Sequence, residues 1–266
     1  MTDLHIHTTL SHDGRENIEN YLKKAVEFGE KRIGFSEHLD ANYGQTTTTL
    51  NRDIVEKVNQ IVLSLREKYQ DRIEILYGVE FGYTDNFVDE LINASNTYPY
   101  DYIINSVHRI KKYGGFYHGT VYANLDKKQA YTAYLESILE SVNAPYDYQI
   151  LGHLGYAARY APFEDKLITF KEYSSLYTEI FKTIIKRGVA LELNTAVKTL
   201  PTYFLPHREV LEKYLSLGGK ILTFGSDAHD LLRFHENEDK VKETLLSYGI
   251  KETYYYKNRK AIAETP

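Results

Sequence analysis

The chain has 266 residues, a formal net charge of -5, no cysteine, no tryptophan and 25 tyrosines. Both charge signs are mixed along it, which argues against a nucleic-acid partner held through a basic face. Without cysteine there are no disulfides and no thiolate sites, so a metal has only His, Asp, Glu or water to hold it. No apolar stretch is long enough to span a bilayer, and no basic segment followed by an apolar run opens the chain; no membrane partner and a cytoplasmic location are expected. The length suits one α/β barrel or two small domains. The tyrosines are expected mostly to pack between elements.

Strand-like and helix-like segments alternate. Thr2 to His7 is expected to be a short buried strand, with His5 and His7 on one side and Leu4 and Ile6 on the other. From Asn17 the period changes to helical: Ile18, Tyr21, Leu22, Ala25 and Val26. Arg32 to His38 is the second strand. A polar loop, Asn42 to Thr49, leads to a helix carrying Ile54, Val58, Ile61, Val62 and Leu65. Ile73 to Phe81 is the third strand, followed by a helix over Asp85 to Ala94. Tyr102 to His108 is the fourth strand, then comes a loop of Gly and Tyr, Lys111 to Asn124. A helix follows with Tyr131, Tyr134, Leu135, Ile138 and Val142. The fifth strand is Tyr148 to His153, its helix spanning Phe170 to Ile184. Val189 to Asn194 is the sixth. A helix with Val210, Leu211, Tyr214 and Leu215 precedes the seventh, Lys220 to Gly225. A last helix, Asp239 to Tyr248, ends in a short tail.

Seven such units imply parallel strands with helical crossovers. A closed barrel and an open doubly wound sheet both fit. The barrel is favoured because polar residues stand at the C-terminal end of nearly every strand, the rim where barrels build their sites. These residues are His5, His7, Asp13, His38, Glu80, His108, His153, Asp227 and His229. Only His12, His118, His207 and His235 of the ten histidines fall elsewhere. His12 is an alternative to Asp13; His207 and His235 are expected on the surface. Six imidazoles and three carboxylates at strand ends point to a polynuclear metal site. A carboxylate can bridge two ions, which lower the pKa of a shared water and clamp the oxygens of an in-line displacement at phosphorus. The donor set suits zinc, iron or manganese.

Asp3-Leu4-His5-Ile6-His7 with Asp13, Ser36-Glu37-His38, Gly78-Val79-Glu80, Ser106-Val107-His108, Gly152-His153 and Ser226-Asp227-Ala228-His229 together resemble the polymerase-and-histidinol-phosphatase (PHP) superfamily. Length and layout are similar to its monofunctional histidinol-phosphate phosphatases. The resemblance implies a single PHP-type phosphatase domain over residues 1–266, folded as a distorted, TIM-like (β/α)7 barrel with three divalent ions at the C-terminal rim. It gives the first ion His5, His7, Glu80 and Asp227. Glu80 bridges to a second held by His108 and His153, and Asp13, His38 and His229 hold the third. The implied activity is hydrolysis of the small phosphomonoester L-histidinol phosphate in histidine biosynthesis, by attack of a metal-bridging hydroxide.

A phosphate dianion also calls for a planar cation, for which Arg159 is the first choice and Arg109 the second. Asn194 is expected to position substrate or a ligand. Glu37 is a candidate to fix an imidazole tautomer, and Asp3 to do so for His5. Asp227 or His229, through water, is expected to protonate the leaving alkoxide. The loops Asn42 to Thr49, Lys111 to Asn124 and Ala196 to Phe204 are candidates to cover the pocket. The rival readings are a phosphotyrosine-protein phosphatase, a nuclease, or a non-catalytic metal-binding module. The sequence marks no oligomeric surface.

Overall fold

The computed structural model describes residues 1–40, 52–110 and 112–266. In chain order its strands are β1 (Arg32–Leu39), β2 (Glu74–Gly82), β3 (Tyr102–Ser106), β4 (Arg109–Ile110), β5 (Gly114–Gly115), β6 (Ile150–Leu151), β7 (Ala190–Asn194), β8 (Leu222–Gly225), β9 (Thr253–Lys257) and β10 (Lys260–Glu264). The helices are α1 (Ile18–Glu27), α2 (Arg52–Tyr69), α3 (Val88–Thr97), α4 (Lys127–Val142), α5 (Ser174–Arg187), α6 (Arg208–Ser216) and α7 (Glu238–Ser247). Six strands make one parallel sheet in the order β1-β2-β3-β6-β7-β8. The helices bury the expected stripes: Ile18, Tyr21, Leu22 and Ala25 on α1, and Tyr131, Tyr134, Leu135, Ile138 and Val142 on α4. The helix expected from Phe170 begins only at Ser174. Ile54 and the loop from Asn42 to Thr49 lie outside the described residues.

The sheet curls until the free edges of β1 and β8 face each other, and the N-terminal segment joins them. Leu4 N donates to Phe224 O (3.1 Å) and His7 N to Ala228 O (2.9 Å), while Gly34 N donates to Asp3 O (2.9 Å) and Ser36 N to Ile6 O (3.0 Å). The expected first strand is therefore an extended closure held by isolated bridges, not a regular strand. The physical reason is Asp3: its Oδ1 accepts the amide of His5 at 3.1 Å, a local side-chain bond that competes with the ladder. The alternation holds for His5 and His7, whose Nε2 atoms both face Glu80 and Asp227, but not for Leu4 and Ile6. Leu4 enters the barrel interior, beside Leu76, Tyr102, Ile104, Ile150 and Ala190, whereas Ile6 joins the outer core.

Glycine makes room inside the barrel. A Cβ on Gly34 would overlap the Tyr102 hydroxyl, and one on Gly78 its ring. Tyr102 crosses that space and donates to Leu4 O at 2.7 Å, fixing the closure from within. The C-terminal residues, expected to be a short tail, are the antiparallel hairpin β9–β10. Its two-residue turn is Asn258-Arg259, both with positive φ (50° and 63°), as a type I′ turn requires. Tyr255 and Tyr256 close the interior at the N-terminal end of the strands. Packing accounts for many tyrosines: Tyr21, Tyr77, Tyr102, Tyr131, Tyr134, Tyr177 and Tyr214 are all fully buried.

Candidate metal centre

At the opposite end of the barrel, neighbouring strands deliver polar groups to one rim. In register, His38 of β1 lies beside Glu80 of β2. Glu80 is fully buried at the centre. Its Oε1 lies 2.8 Å from His153 Nε2, 3.1 Å from His108 Nε2 and 3.3 Å from His5 Nε2. Its Oε2 lies 2.9 Å from His38 Nδ1 and 3.5 Å from His7 Nε2. The two oxygens thus face two different groups of imidazoles. Asp227 Oδ1 stands 3.6 Å from His7 Nε2, 3.8 Å from His5 Nε2 and 3.6 Å from His229 Nδ1. Asp227 holds φ at 52°, a left-handed conformation that a short polar residue tolerates. Asp13 lies between His229 Nε2 (3.2 Å) and His38 Nε2 (3.5 Å). His12 points outward, its side chain 73% exposed.

The rings crowd together: His7 stacks on His38 at 4.0 Å between centroids and sits 4.5 Å from His229. Burial, then the charges of His38 and His229, push the His7 pKa well below 6.5, so its imidazole is neutral. Burial opposes ionisation of Glu80 and Asp227, yet His5 and its neighbours hold both well below their usual values. The anionic carboxylates and the neutral His7 are in the states a cation needs, whereas burial is outweighed by nearby carboxylates that raise His5, His38, His108 and His229 above 6.5, a positive charge that a bound ion would replace. The donor set also fits a cation by what it leaves unmet. His5 Nε2, both His7 nitrogens and Glu80 Oε2 are buried without a hydrogen-bond partner, a cost of about 1–3 kcal/mol each that an ion would relieve. Ligand atoms of His5, His7 and Glu80 lie within 4.8 Å of one another, as do those of Glu80, His108 and His153, and those of His7, His38 and His229.

Arg159 is buried, with Nη1 on Asp227 Oδ2 (2.8 Å) and Nη2 on Asn194 Oδ1 (2.5 Å). Asn194 in turn gives Nδ2 to Glu192 Oε2 (3.1 Å) and takes Ala196 N (3.0 Å). Both therefore brace the cluster, through Asp227 and Glu192. Arg109 is half-buried at the start of β4, directly after His108. Glu37 does not touch an imidazole. It accepts Thr8 Oγ1 (2.7 Å) and Ser11 Oγ (2.5 Å), and Ser11 Oγ accepts His38 N (3.0 Å), so it pins the turn that carries Asp13. Asp3 serves the backbone, not the His5 ring: its Oδ1 accepts the amides of His5 and Ser226. Two carboxylates escaped the sequence reading. Asp40 faces His108 Nδ1 (3.0 Å) and His38 Nδ1 (3.3 Å), and Glu192 faces His5 Nδ1 (2.5 Å). The usable signal was spacing: each stands two residues from a singled-out position, Glu192 on the strand face of Asn194 and Asp40 just past the end of β1.

His207 and His235 are not surface residues. His207 is buried, its Nε2 3.2 Å from Ile168 O, and His235 pairs with Glu238 against Phe224 and Phe234. His118 is exposed. On the rim, Tyr156 stacks near His153 (4.8 Å) and His108 (5.1 Å), and Lys198 Nζ sits 3.9 Å from the Tyr160 ring centre and 5.5 Å from that of Tyr117. The second and third expected cover loops thus meet over one wall of the site.

A curled parallel α/β barrel with imidazoles and carboxylates converging on the C-terminal ends of its strands defines a TIM-like, metal-dependent enzyme class. Within that class, the PHP domain model matches residues 3–196, and the chain belongs to this family. It is 30% identical over 270 residues to a histidinol-phosphatase of Lactococcus lactis, covering 98% of both chains. A probable histidinol-phosphatase of Clostridium acetobutylicum is 29% identical over 233 residues, with 85% of this chain and 86% of that one covered. Among solved structures, the Lactococcus lactis histidinol phosphate phosphatase complexed with zinc, L-histidinol and phosphate superposes with a TM-score of 0.84 over 98% of each chain, at 30% identity. A putative histidinol phosphatase from Listeria monocytogenes shares the fold at 19% identity and a TM-score of 0.72, over 90% of this chain and 99% of that one.

Proposed function

We propose that the chain is a metal-dependent phosphomonoesterase that hydrolyses L-histidinol phosphate to L-histidinol and phosphate, a step of histidine biosynthesis. The observation that carries this is the end-to-end similarity to a relative crystallised with zinc and both products of that reaction. The chain acts in the cytoplasm as a single catalytic domain. Three divalent ions are proposed: one on His5, His7, Glu80 and Asp227, one on Glu80, His108 and His153, and one on Asp13, His38 and His229. The unmet nitrogens of His5 and His7, and the gathering of His5, His7 and Glu80 and of Glu80, His108 and His153, support the first two of these sites. Bound there, the ions supply Lewis acidity toward a phosphoryl oxygen and acidify the attacking water.

The chain's own residues do the rest. Glu80 would contribute a carboxylate oxygen to each of the first two ions. Arg159 keeps Asp227 oriented and lends positive charge to the side on which the phosphoryl group is bound. Asp227 or His229, with Oδ1 and Nδ1 3.6 Å apart, passes a proton through water to the leaving alkoxide. Tyr156 and Tyr160 wall the pocket and exclude water from it. The deciding experiment is phosphate release from a panel of phosphomonoesters with and without chelator. A strong preference for L-histidinol phosphate, abolished by chelation, is expected. Comparable rates on unrelated sugar phosphates would reject the substrate, and chelator-resistant turnover would reject the mechanism. Full turnover and metal content in both Asp227→Asn and His229→Gln would remove the proton-transfer assignment.

A further inference from the structure

Glu192 stands outside the proposed ligand set yet touches two of its members. It is 1% exposed and lies on β7, below the rim. Burying a carboxylate is costly unless its oxygens receive donors. Here three donors converge: His5 Nδ1 on Oε1 at 2.5 Å, and His153 N at 2.5 Å and Asn194 Nδ2 at 3.1 Å on Oε2. The backbone is shaped around this arrangement. A Cβ on Gly225 would meet both Glu192 Oε1 and His5 Cβ, so glycine there permits the approach.

We infer that Glu192 is a positioning residue that fixes the His5 tautomer and ties the His5 and His153 segments to one carboxylate. A carboxylate accepts only, so His5 keeps a hydrogen on Nδ1, and in the metal-bound form the lone pair is left on Nε2. Nε2 is the atom that faces Glu80 (3.3 Å) and Asp227 (3.8 Å) and lacks a hydrogen-bond partner. The second oxygen holds the amide of His153, whose Nε2 lies 2.8 Å from the same Glu80 oxygen. One buried group thus sets the aim of a ligand proposed for the first ion and the place of a ligand proposed for the second. Outer carboxylates of this kind are worth about 10–100-fold in metal affinity.

The substitution Glu192→Gln is discriminating because an amide has one acceptor and one donor. If its oxygen takes His5 Nδ1–H, its NH2 faces the His153 amide. If it turns, its NH2 meets Nδ1 and drives the hydrogen to Nε2, the metal-facing atom. Glu192→Asp keeps the charge but is one methylene short. The inference rests on the metal reading above, so zinc is the probe. Zinc affinity is measured by competition with 4-(2-pyridylazo)resorcinol, the His5 tautomer by 15N–1H imidazole spectra of the zinc form, and metal-free stability by melting. Expected are a 10–100-fold loss of affinity in both variants, a changed His5 Nδ1–H resonance, and little change in metal-free melting. Unchanged zinc affinity, or a His5 resonance that stays as in the wild type, overturns the inference. So does failure of both variants to melt cooperatively, which would make Glu192 a folding residue. Wild-type protein that binds no zinc would instead sink the metal reading itself.

Discussion

The two ends of the barrel solve the same packing problem in opposite ways. At the N-terminal end, Leu4, Leu76, Tyr102, Ile104 and Ile150 fill the interior, Tyr255 and Tyr256 close it, and the Tyr102 hydroxyl finds Leu4 O. At the C-terminal end the interior holds imidazoles and carboxylates, several without partners. Apolar burial at about 25 cal/mol per Å² stabilises the first end. The second end contributes little of that kind and carries the unsatisfied groups that a cation would engage. Stability and chemistry are therefore separated along the barrel axis, and substitutions at each end should move different observables.

The largest effect should come from the centre of the rim. Glu80→Gln removes the one group that faces both sets of imidazoles and should lower turnover of L-histidinol phosphate by at least about 10³-fold. Melting of the chelated protein should fall only in part, because losing the pairing of Glu80 with the surrounding imidazoles destabilises the chain while removal of a buried charge offsets some of that loss. A large fall in chelated melting temperature would show that the rim also carries the fold. At the other end, Tyr102→Ala should cost about 3–5 kcal/mol in denaturant unfolding, with zinc per folded molecule unchanged. Loss of zinc in protein that remains folded would break the separation. At the same rim as Glu80, the Ser11 hydroxyl donates to Glu37 and accepts from His38 N. Ser11→Ala should cost about 1–3 kcal/mol through the groups it leaves unpaired, and it should weaken the site containing Asp13 and His38 before the one containing His5. Metal titration followed by mass spectrometry reads that order.

How much of this was legible in the sequence follows the same axis. The rim was, because every strand end presents a chemically distinctive residue; His38, Glu80, His108 and Asp227 stand out of apolar runs. The barrel followed from that placement. The closure was misjudged, because a bond from Asp3 to the His5 amide is a local competition that hydrophobic alternation does not register. The hairpin was missed, although Asn258 after Tyr254-Tyr255-Tyr256-Lys257 carries a turn signal; its β register depends on docking beneath the barrel. Glu192 and Asp40 were passed over because a single carboxylate in an apolar strand or a loop has no meaning until its partner imidazole, far away in sequence, is placed beside it. His235 looked superficial for the same reason.

His235 supplies the smallest and most specific test, at the seam between the two ends. It pairs with Glu238 and lies 3.5 Å from Glu30. Burial opposes its charge, but Glu238, Asp3 and Glu30 raise its pKa above 6.5 in the folded chain. A raised folded pKa contributes stability that is complete below the unfolded value of about 6.5 and is lost as pH rises through the folded value. Glu238 has the opposite sign: burial opposes its ionisation, His235 and Lys242 hold it low, and its contribution is present above about 4.5 and lost on acidification. His235→Asn suits the backbone, since φ at 235 is 61° and asparagine tolerates that region. The variant should lose on the order of 1 kcal/mol near pH 6, and the difference from wild type should shrink as pH rises through the folded pKa. A difference in melting temperature that stays constant from pH 6 upward would mean that His235 contributes by packing against Phe224 and Phe234 alone, leaving the seam without an electrostatic tie between Asp3 and the last helix.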